Sequence, residues 1–276
     1  EFLFSKPPAP YKLKRRRRSP AQDAAEKEQT LSLLRNQIIQ PSTSPYATEI
    51  VLTPKADGTL RYAVDFRLLN EATEADNMPL IRPDDLLDRM GTVAQNAAKA
   101  AREQGRTIEP LVLVSSFDCA SAFWSCLIRE CDRKYTAFNT SLGLMEWRRM
   151  PFGLKNSMST YSRAMCHILR PPLYPKPDGH PHEERDDVMS EAYVDDCTTV
   201  GATGDADWSD HMEALFIVFK RFTIYNVNIK ISKSVWGTTQ LVLVGYKFIA
   251  GKGISSSETK VDAMLAMNDP RTIGEI

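Results

Sequence analysis

The sequence predicts an α+β fold, and three observations carry that expectation. Apolar runs of strand length, such as residues 111–117 and 241–249, occur beside longer segments of helical period. The strand-like runs come in pairs around turn residues, at Ala56-Asp57-Gly58-Thr59 and at Asp195-Asp196, as antiparallel hairpins require. No internal repeat is visible, which excludes a solenoid or propeller.

Residues 1–20 are Pro-rich and carry Lys12-Leu13-Lys14-Arg15-Arg16-Arg17-Arg18, with too little apolar surface to fold alone. A disordered, mobile basic arm is expected there. It reads either as a solvated charge run or as a segment for phosphate contact or nuclear targeting. Residues 21–39 are expected to be helical, with Leu31, Leu34 and Ile38 at helical spacing and Pro41 as the stop. Residues 49–53 and 60–64 form a predicted hairpin. Pro83 opens a short predicted helix, and residues 92–104, rich in good helix formers, extend as far as Gly105.

Residues 111–117 read as a buried strand ending at Asp118. A helix over 158–170 would place Tyr161, Met165 and Leu169 on one face and stop at Pro171-Pro172. The polar stretch that follows, to Asp187, is expected to be a loop. Strands at 189–194 and 197–200 bracket Asp195-Asp196. A helix over 210–222 is expected to turn Met212, Leu215, Phe219 and Phe222 inward. Residues 228–231 and 241–249 then read as strands separated by a turn at Gly237.

Composition bounds the function. In 276 residues, Lys plus Arg and Asp plus Glu both count 35, so a uniformly basic nucleic-acid coat is excluded while a local basic groove is not. Apolar residues at 42 % and charged residues at 25 % describe a globular chain with enough length for one or two domains. Cys119, Cys126, Cys131, Cys166 and Cys197 are scattered and odd in number, without the spacing of a zinc site or a disulfide framework, so free thiols in an intracellular compartment are expected. No apolar run approaches the length of about 18 residues that crosses a membrane, and no signal peptide is visible. A start at Glu1 and an end at Ile276 lead us to expect a segment of a longer polypeptide.

The chemistry concentrates in three aspartates. Asp118 closes an apolar strand, and Asp195 and Asp196 sit at a hairpin tip. Strands that neighbour one another in a sheet would bring these hard oxygen ligands together as Mg²⁺ requires. Two such ions about 3.5–4 Å apart stabilise both the attacking and the leaving oxygen of a phosphoryl transfer. Taken singly, Asp118 also reads as a helix N-cap and Asp195-Asp196 as ordinary turn chemistry. The nearby pair Asp186-Asp187 shows how little a bare acidic pair proves.

Tyr193-Val194-Asp195-Asp196 resembles the Tyr-x-Asp-Asp signature of reverse transcriptases, and the chain as a whole, through Met150–Asn156 above all, resembles those of gypsy-type LTR retrotransposons. Other blocks follow in the order of that family: Ile50–Arg61 with Val64-Asp65-Phe66-Arg67-Leu68-Leu69-Asn70, Phe117-Asp118-Cys119-Ala120-Ser121-Ala122-Phe123, and Met150-Pro151-Phe152-Gly153-Leu154-Lys155-Asn156. The last block is the most family-specific. After it this chain reads Ser157-Met158-Ser159-Thr160-Tyr161-Ser162 where the family usually carries Ala-Pro-Ala-Thr-Phe-Gln. The segment before Asp118 and the loop 171–187 are both longer than the family pattern.

The resemblance implies a right-hand polymerase of fingers and palm, an antiparallel palm sheet packed on helices, and an incomplete thumb. Fingers are expected at 21–88 with 130–157, palm across 89–249 outside that insertion, and the start of the thumb or connection at 250–276. It implies RNA-directed DNA polymerase activity that extends a primer 3′-hydroxyl by two-metal phosphoryl transfer, with two Mg²⁺ ions and Mn²⁺ as a substitute. Asp118, Asp195 and Asp196 take the metal-binding places, and Lys233 that of a lysine that protonates pyrophosphate. Lys233 also reads as a plain surface lysine. Lys55 and Arg61 match the cations that hold the triphosphate, and also read as exposed hairpin cations. Phe123 matches the ring that blocks a ribose 2′-hydroxyl and also reads as a packed core Phe, Phe152 would lie beside the nucleotide, Gly153 lets backbone approach the nucleotide or template closely, and Gly245-Tyr246 resembles the primer grip.

Template-primer, deoxynucleoside triphosphates and other polyprotein modules (RNase H, integrase, protease) are the implied partners, in a cytoplasmic particle or the nucleus. Two rival readings stand beside this one: a catalytically inactive or domesticated nucleic-acid-binding relative, and an RNA-templated RNA polymerase sharing the palm.

Overall fold

A computed structural model describes residues 2, 4–14, 16–54, 60–103, 105, 111–119, 122–169, 188–193, 196–203, 208–243, 246–250 and 253–256. The chain opens with α1 (Pro20–Arg35), β1 (Ile39–Pro41), β2 (Ile50–Pro54), β3 (Leu60–Val64), α2 (Arg67–Ala72) and α3 (Pro83–Glu103). It continues with β4 (Leu111–Asp118), α4 (Glu130–Arg133), β5 (Phe138–Thr140), β6 (Gly143–Trp147) and α5 (Ser157–Leu169). It closes with β7 (Val188–Tyr193), β8 (Asp196–Thr203), α6 (Ser209–Ile224), β9 (Val235–Thr238), β10 (Gln240–Leu243), β11 (Tyr246–Ile249) and β12 (Gly253–Ser256). These elements form two compact units, one of Glu1–Pro79, Ala120–Ala164 and Asn226–Asn228, the other of Leu80–Cys119, Met165–Tyr225 and Ile229–Ile276.

In the first unit, Ser19 caps α1 through a capping box with Gln22, and Pro20 occupies the first turn, where its missing N–H costs nothing. The helix ends earlier than its apolar spacing predicts. Gln37 takes a left-handed φ of 54°, and Ile39 enters β1 opposite Trp147. The buried face of α1 is Glu26, Thr30 and Leu33, not the expected Leu31 and Leu34 stripe. Antiparallel β1-β6-β5 forms one sheet, and β2-β3 forms the expected hairpin in register from Ile50↔Val64 to Pro54↔Leu60.

The basic arm, expected to be unattached, is tied to this unit. Leu13 N–H donates to the Ala47 carbonyl at 2.8 Å, Ala47 N–H donates to the Tyr11 carbonyl at 2.8 Å, and the Tyr46 hydroxyl donates to the Pro8 carbonyl at 2.9 Å. The Arg18 guanidinium pairs with the Glu26 carboxylate, both side chains buried at 5 % and 0 % exposure. Backbone pairing satisfies polar groups that composition alone cannot locate.

The second unit is built on the four-stranded antiparallel sheet β7-β8-β4-β9. Strand alternation sends Val112 and Val114 of β4 into a core with Leu86, Leu87, Met90 and Val93 of α3, and with Leu241, Leu243 and Phe248 of the β10-β11-β12 sheet. The opposite face presents Ser115 and Phe117 to α6, where Phe117 meets Phe219 and Phe222 edge-on and stacks on Trp236. Two expected helical stretches prove to be one, because α3 runs unbroken through Gly91.

Three local expectations change here. Met212 is 55 % exposed, since α6 packs through His211, Ala214, Leu215, Val218 and Phe222 and Met212 points off that face. Residues 228–231 are not a strand: Ile229 makes an isolated bridge to Cys119, and a 3₁₀ turn follows at Ile231–Lys233. Gly237, with φ of 53°, lies inside β9, and 241–249 is divided between β10 and β11. The loop 171–187 lies outside the described residues.

Candidate active site

Asp118 ends β4 and Asp196 begins β8, and the two are Cα partners in the antiparallel register. The sheet thus brings together two aspartates that are 78 positions apart. Lys230 N–H donates to the Asp118 carbonyl at 2.8 Å, which anchors the 3₁₀ turn carrying Lys233. From there the Lys233 Nζ stands 3.7 Å from Asp118 Oδ2. Desolvation, and next the charge of Asp118, push the Asp196 carboxyl above its ordinary range, while Lys233 acts in the opposite direction. Two partly desolvated carboxylates that repel one another fit the demands of a hard divalent cation. Among the described residues no group of three potential ligands forms, and Asp195 lies outside them. Beside each aspartate in the chain is a buried thiol, Cys119 and Cys197, with sulfurs 3.4 Å apart. The spacing of the cysteines in the sequence held no sign of that.

In the first unit, Phe123 lies in the 3₁₀ turn Ala122–Ser125 and is 7 % exposed. Its ring centroid is 5.0 Å from that of Phe152 and 5.6 Å from that of Tyr161, both edge-on. Phe152 is itself exposed, and the next residue, Gly153, has φ of 91°, a conformation that favours glycine. A Cβ at Gly153 would also meet the Phe66 ring at 3.7 Å.

Asn70 holds this loop. Its Nδ2 donates to the Gly153 carbonyl and its Oδ1 accepts from Lys155 N–H, each at 2.8 Å. Asn156 extends the clamp by donating to the Glu74 carbonyl and accepting from Asp76 N–H, and Arg163 grips Asp76 with two bonds of 2.8 and 2.9 Å. In the sequence Asn70 is one position of the Val64–Asn70 block and nothing more. Its true partner is 83 positions away, so no local signal could reveal it.

Arg61 is exposed in β3 opposite Thr53, and Lys55 lies outside the described residues. Arg67 forks onto Asp65 through Nε and Nη2, and these hydrogen bonds hold the Asp65 carboxyl below its ordinary range. Tyr246 starts β11 opposite Leu243, and Gly245 lies outside the described residues. The structure therefore brings Asp118, Asp196 and Lys233 together in one unit, and Phe123, Phe152 and Gly153 in the other.

A helix-backed antiparallel sheet that pairs two carboxylates, with a separate hairpin-bearing unit, is the fold class expected of the fingers and palm of a right-hand polymerase. More specifically, residues 53–248 match the family described as reverse transcriptase (RNA-dependent DNA polymerase), and the chain belongs to that family. It is 29 % identical over 249 residues to the retrovirus-related Pol polyprotein from transposon opus of Drosophila melanogaster, covering 88 % of this chain and 21 % of that one. The corresponding polyprotein of transposon 297, from the same organism, is 26 % identical over 253 residues, 90 % of this chain and 20 % of the relative. These relatives are of the gypsy type. The enzymatic polyprotein of cauliflower mosaic virus is 32 % identical over 171 residues, 60 % of this chain and 22 % of its own length.

This chain thus spans about a fifth of the curated relatives it matches. Among solved structures, the foamy viral protease-reverse transcriptase in complex with dsDNA superposes with a TM-score of 0.69 at 19 % identity, over 99 % of this chain and 51 % of that one. The same enzyme with an RNA/DNA hybrid gives 0.66 at 19 % identity, over 99 % and 33 %. Both confirm the fold. Among the described residues no helix is long and apolar enough to cross a membrane.

Proposed function

We propose that this chain extends a primer 3′-hydroxyl with deoxynucleotides on an RNA or DNA template, as one module of a retrotransposon polyprotein. The observation that carries the reading is the register pairing of Asp118 with Asp196 in a chain of the reverse transcriptase family. Asp118 and Asp195 would hold the catalytic cations, with Asp196 supporting the site or ligating less directly. Two divalent ions, Mg²⁺ by preference and Mn²⁺ as a substitute, would supply charge stabilisation to the attacking and leaving oxygens.

The chain's own residues do the rest. Lys55 and Arg61, of which Arg61 stands in β3 opposite Thr53, orient the triphosphate, as cations suit a dense anion. Phe123 excludes a 2′-hydroxyl by filling the space that oxygen needs, and Phe152 and Gly153 line the nucleotide. Lys233, held near Asp118, carries a proton at Nζ for the departing pyrophosphate. Gly245 and Tyr246 grip the primer end. Deoxynucleoside triphosphates, a template-primer duplex and further polyprotein modules are the partners of this reaction, in a cytoplasmic particle or the nucleus.

Primer extension on an RNA template with Mg²⁺ tests the proposal, comparing the chain with its Asp195→Asn variant. Extension by the first and not the second is expected, as is loss of extension on chelation of the metal. Equal extension by both would sink the assignment of Asp195.

A further inference from the structure

We propose that Tyr161 is a positioning residue that sets sugar discrimination through the ring of Phe123. The inference rests on the reading of Phe123 as the group that excludes a 2′-hydroxyl. A steric gate rejects one oxygen atom, so its accuracy depends on where the ring stands to within a fraction of an ångström. The backbone of the 3₁₀ turn Ala122–Ser125 fixes the Cβ of Phe123, and the ring beyond it is placed by what packs against it. Two rings bracket it. Phe152 is 53 % exposed and belongs to the loop ahead of α5. Tyr161 is 0 % exposed and belongs to α5, where it shares the buried face with Met165. The Tyr161 ring meets Phe123 at 81° between planes, the edge-to-face arrangement that aromatic quadrupoles favour. Of the two neighbours, the buried one on the helix is the fixed wall. Removing its ring leaves Phe123 room to retreat and admits the larger sugar.

The measurement is the ratio of kcat/KM for ribonucleotide against deoxynucleotide in single-nucleotide primer extension by the whole chain. Tyr161→Met removes the ring and keeps apolar bulk, and Tyr161→Leu is a second ring-free variant. Either is expected to raise ribonucleotide use relative to deoxynucleotide use by about five- to tenfold, the scale of one edge-to-face aromatic pair. Tyr161→Phe keeps the ring and is expected to hold the ratio within about twofold on the same ground. A merely structural role would lower both rates together and leave the ratio where it was. Phe123→Ala combined with Tyr161→Met should match Phe123→Ala alone, since the tyrosine acts through that ring.

If Phe123→Ala relaxes discrimination while folded Tyr161→Met does not, the inference is overturned and the gate stands. If Phe123→Ala itself changes nothing, the gate reading fails and takes the inference with it. Should the ring-free variants not fold, a shifted ratio in Tyr161→Phe overturns the role of the ring, and an unchanged ratio there supports it. Absence of extension by the unmodified chain would sink the polymerase reading and this inference alike.

Discussion

Asn70 holds Gly153 across 83 positions of chain, donating from Nδ2 to its carbonyl at 2.8 Å while accepting from the N–H of Lys155. The glycine turns through a left-handed φ of 91°, and the amide clasps the turn at both ends, so the loop shape is imposed from α2. Asn70→Ala removes both bonds. Because the group is partly solvated, the cost to stability is expected to be about 1 kcal/mol, measured by chemical denaturation. Under the proposed function the nucleotide KM rises more than kcat falls. Unchanged KM with unchanged stability would show that the loop keeps its shape without the clasp.

Asp196 is the residue at which function opposes folding. Burial and the neighbouring Asp118 both penalise its charge. Asp196→Asn removes that charge with little change in shape, so thermal stability is expected to stay level or rise while primer extension falls. A melting temperature below that of the unmodified chain would contradict this account of the site's electrostatics.

His211 provides a pH signature. It is fully buried, its Nε2 is 2.7 Å from Ser115 Oγ, and burial pulls its pKa from 6.5 down to about 4. The unfolded chain takes up this proton near pH 6.5, and the folded chain takes it up only near 4. The contribution of a neutral His211 is therefore complete above pH 6.5, declines as pH falls toward 4, and is flat below. The two pKa values bound its size at about 3 kcal/mol. His211→Gln should flatten that part of the stability profile, followed by urea midpoints between those pH values.

Gly201 of β8 faces the same histidine. A Cβ built there stands 3.2 Å from both the Cα and Nδ1 of His211, and the first of these is helix backbone that cannot easily yield. Gly201→Ala is expected to cost about 1–3 kcal/mol by overpacking, read as a lowered urea midpoint. A neutral result would mean that α6 shifts freely on the sheet.

Arg18 and Glu26 make the arm part of the fold. Arg18→Ala removes a buried guanidinium from the Glu26 carboxylate, which still accepts from Ser141 N–H at 2.8 Å. A loss of about 3 kcal/mol is expected, against almost none for the exposed neighbour Arg17→Ala. Equal effects from the two would return the arm to a solvated charge run.

The sequence by itself determined the class of fold, the hairpin of β2 and β3, the strand that ends at Asp118, the face of α5 that buries Tyr161, and the family. Those features are written locally, in alternation, turn residues and contiguous motifs, because neighbours in the chain are neighbours in a strand or a helical turn. It also named Asp118, Asp196 and Lys233 through motif likeness, though not that Lys233 would lie beside Asp118.

Only the tertiary structure decided which atoms meet across long separations. The docking of the arm through Arg18, the clasp of Asn70 on Gly153, the meeting of the Cys119 and Cys197 thiols and the exposure of Met212 all depend on it. Single-residue spacing carries no record of these contacts. They arise when strand register and helix packing bring distant segments together, and burial then selects which polar groups must find one another.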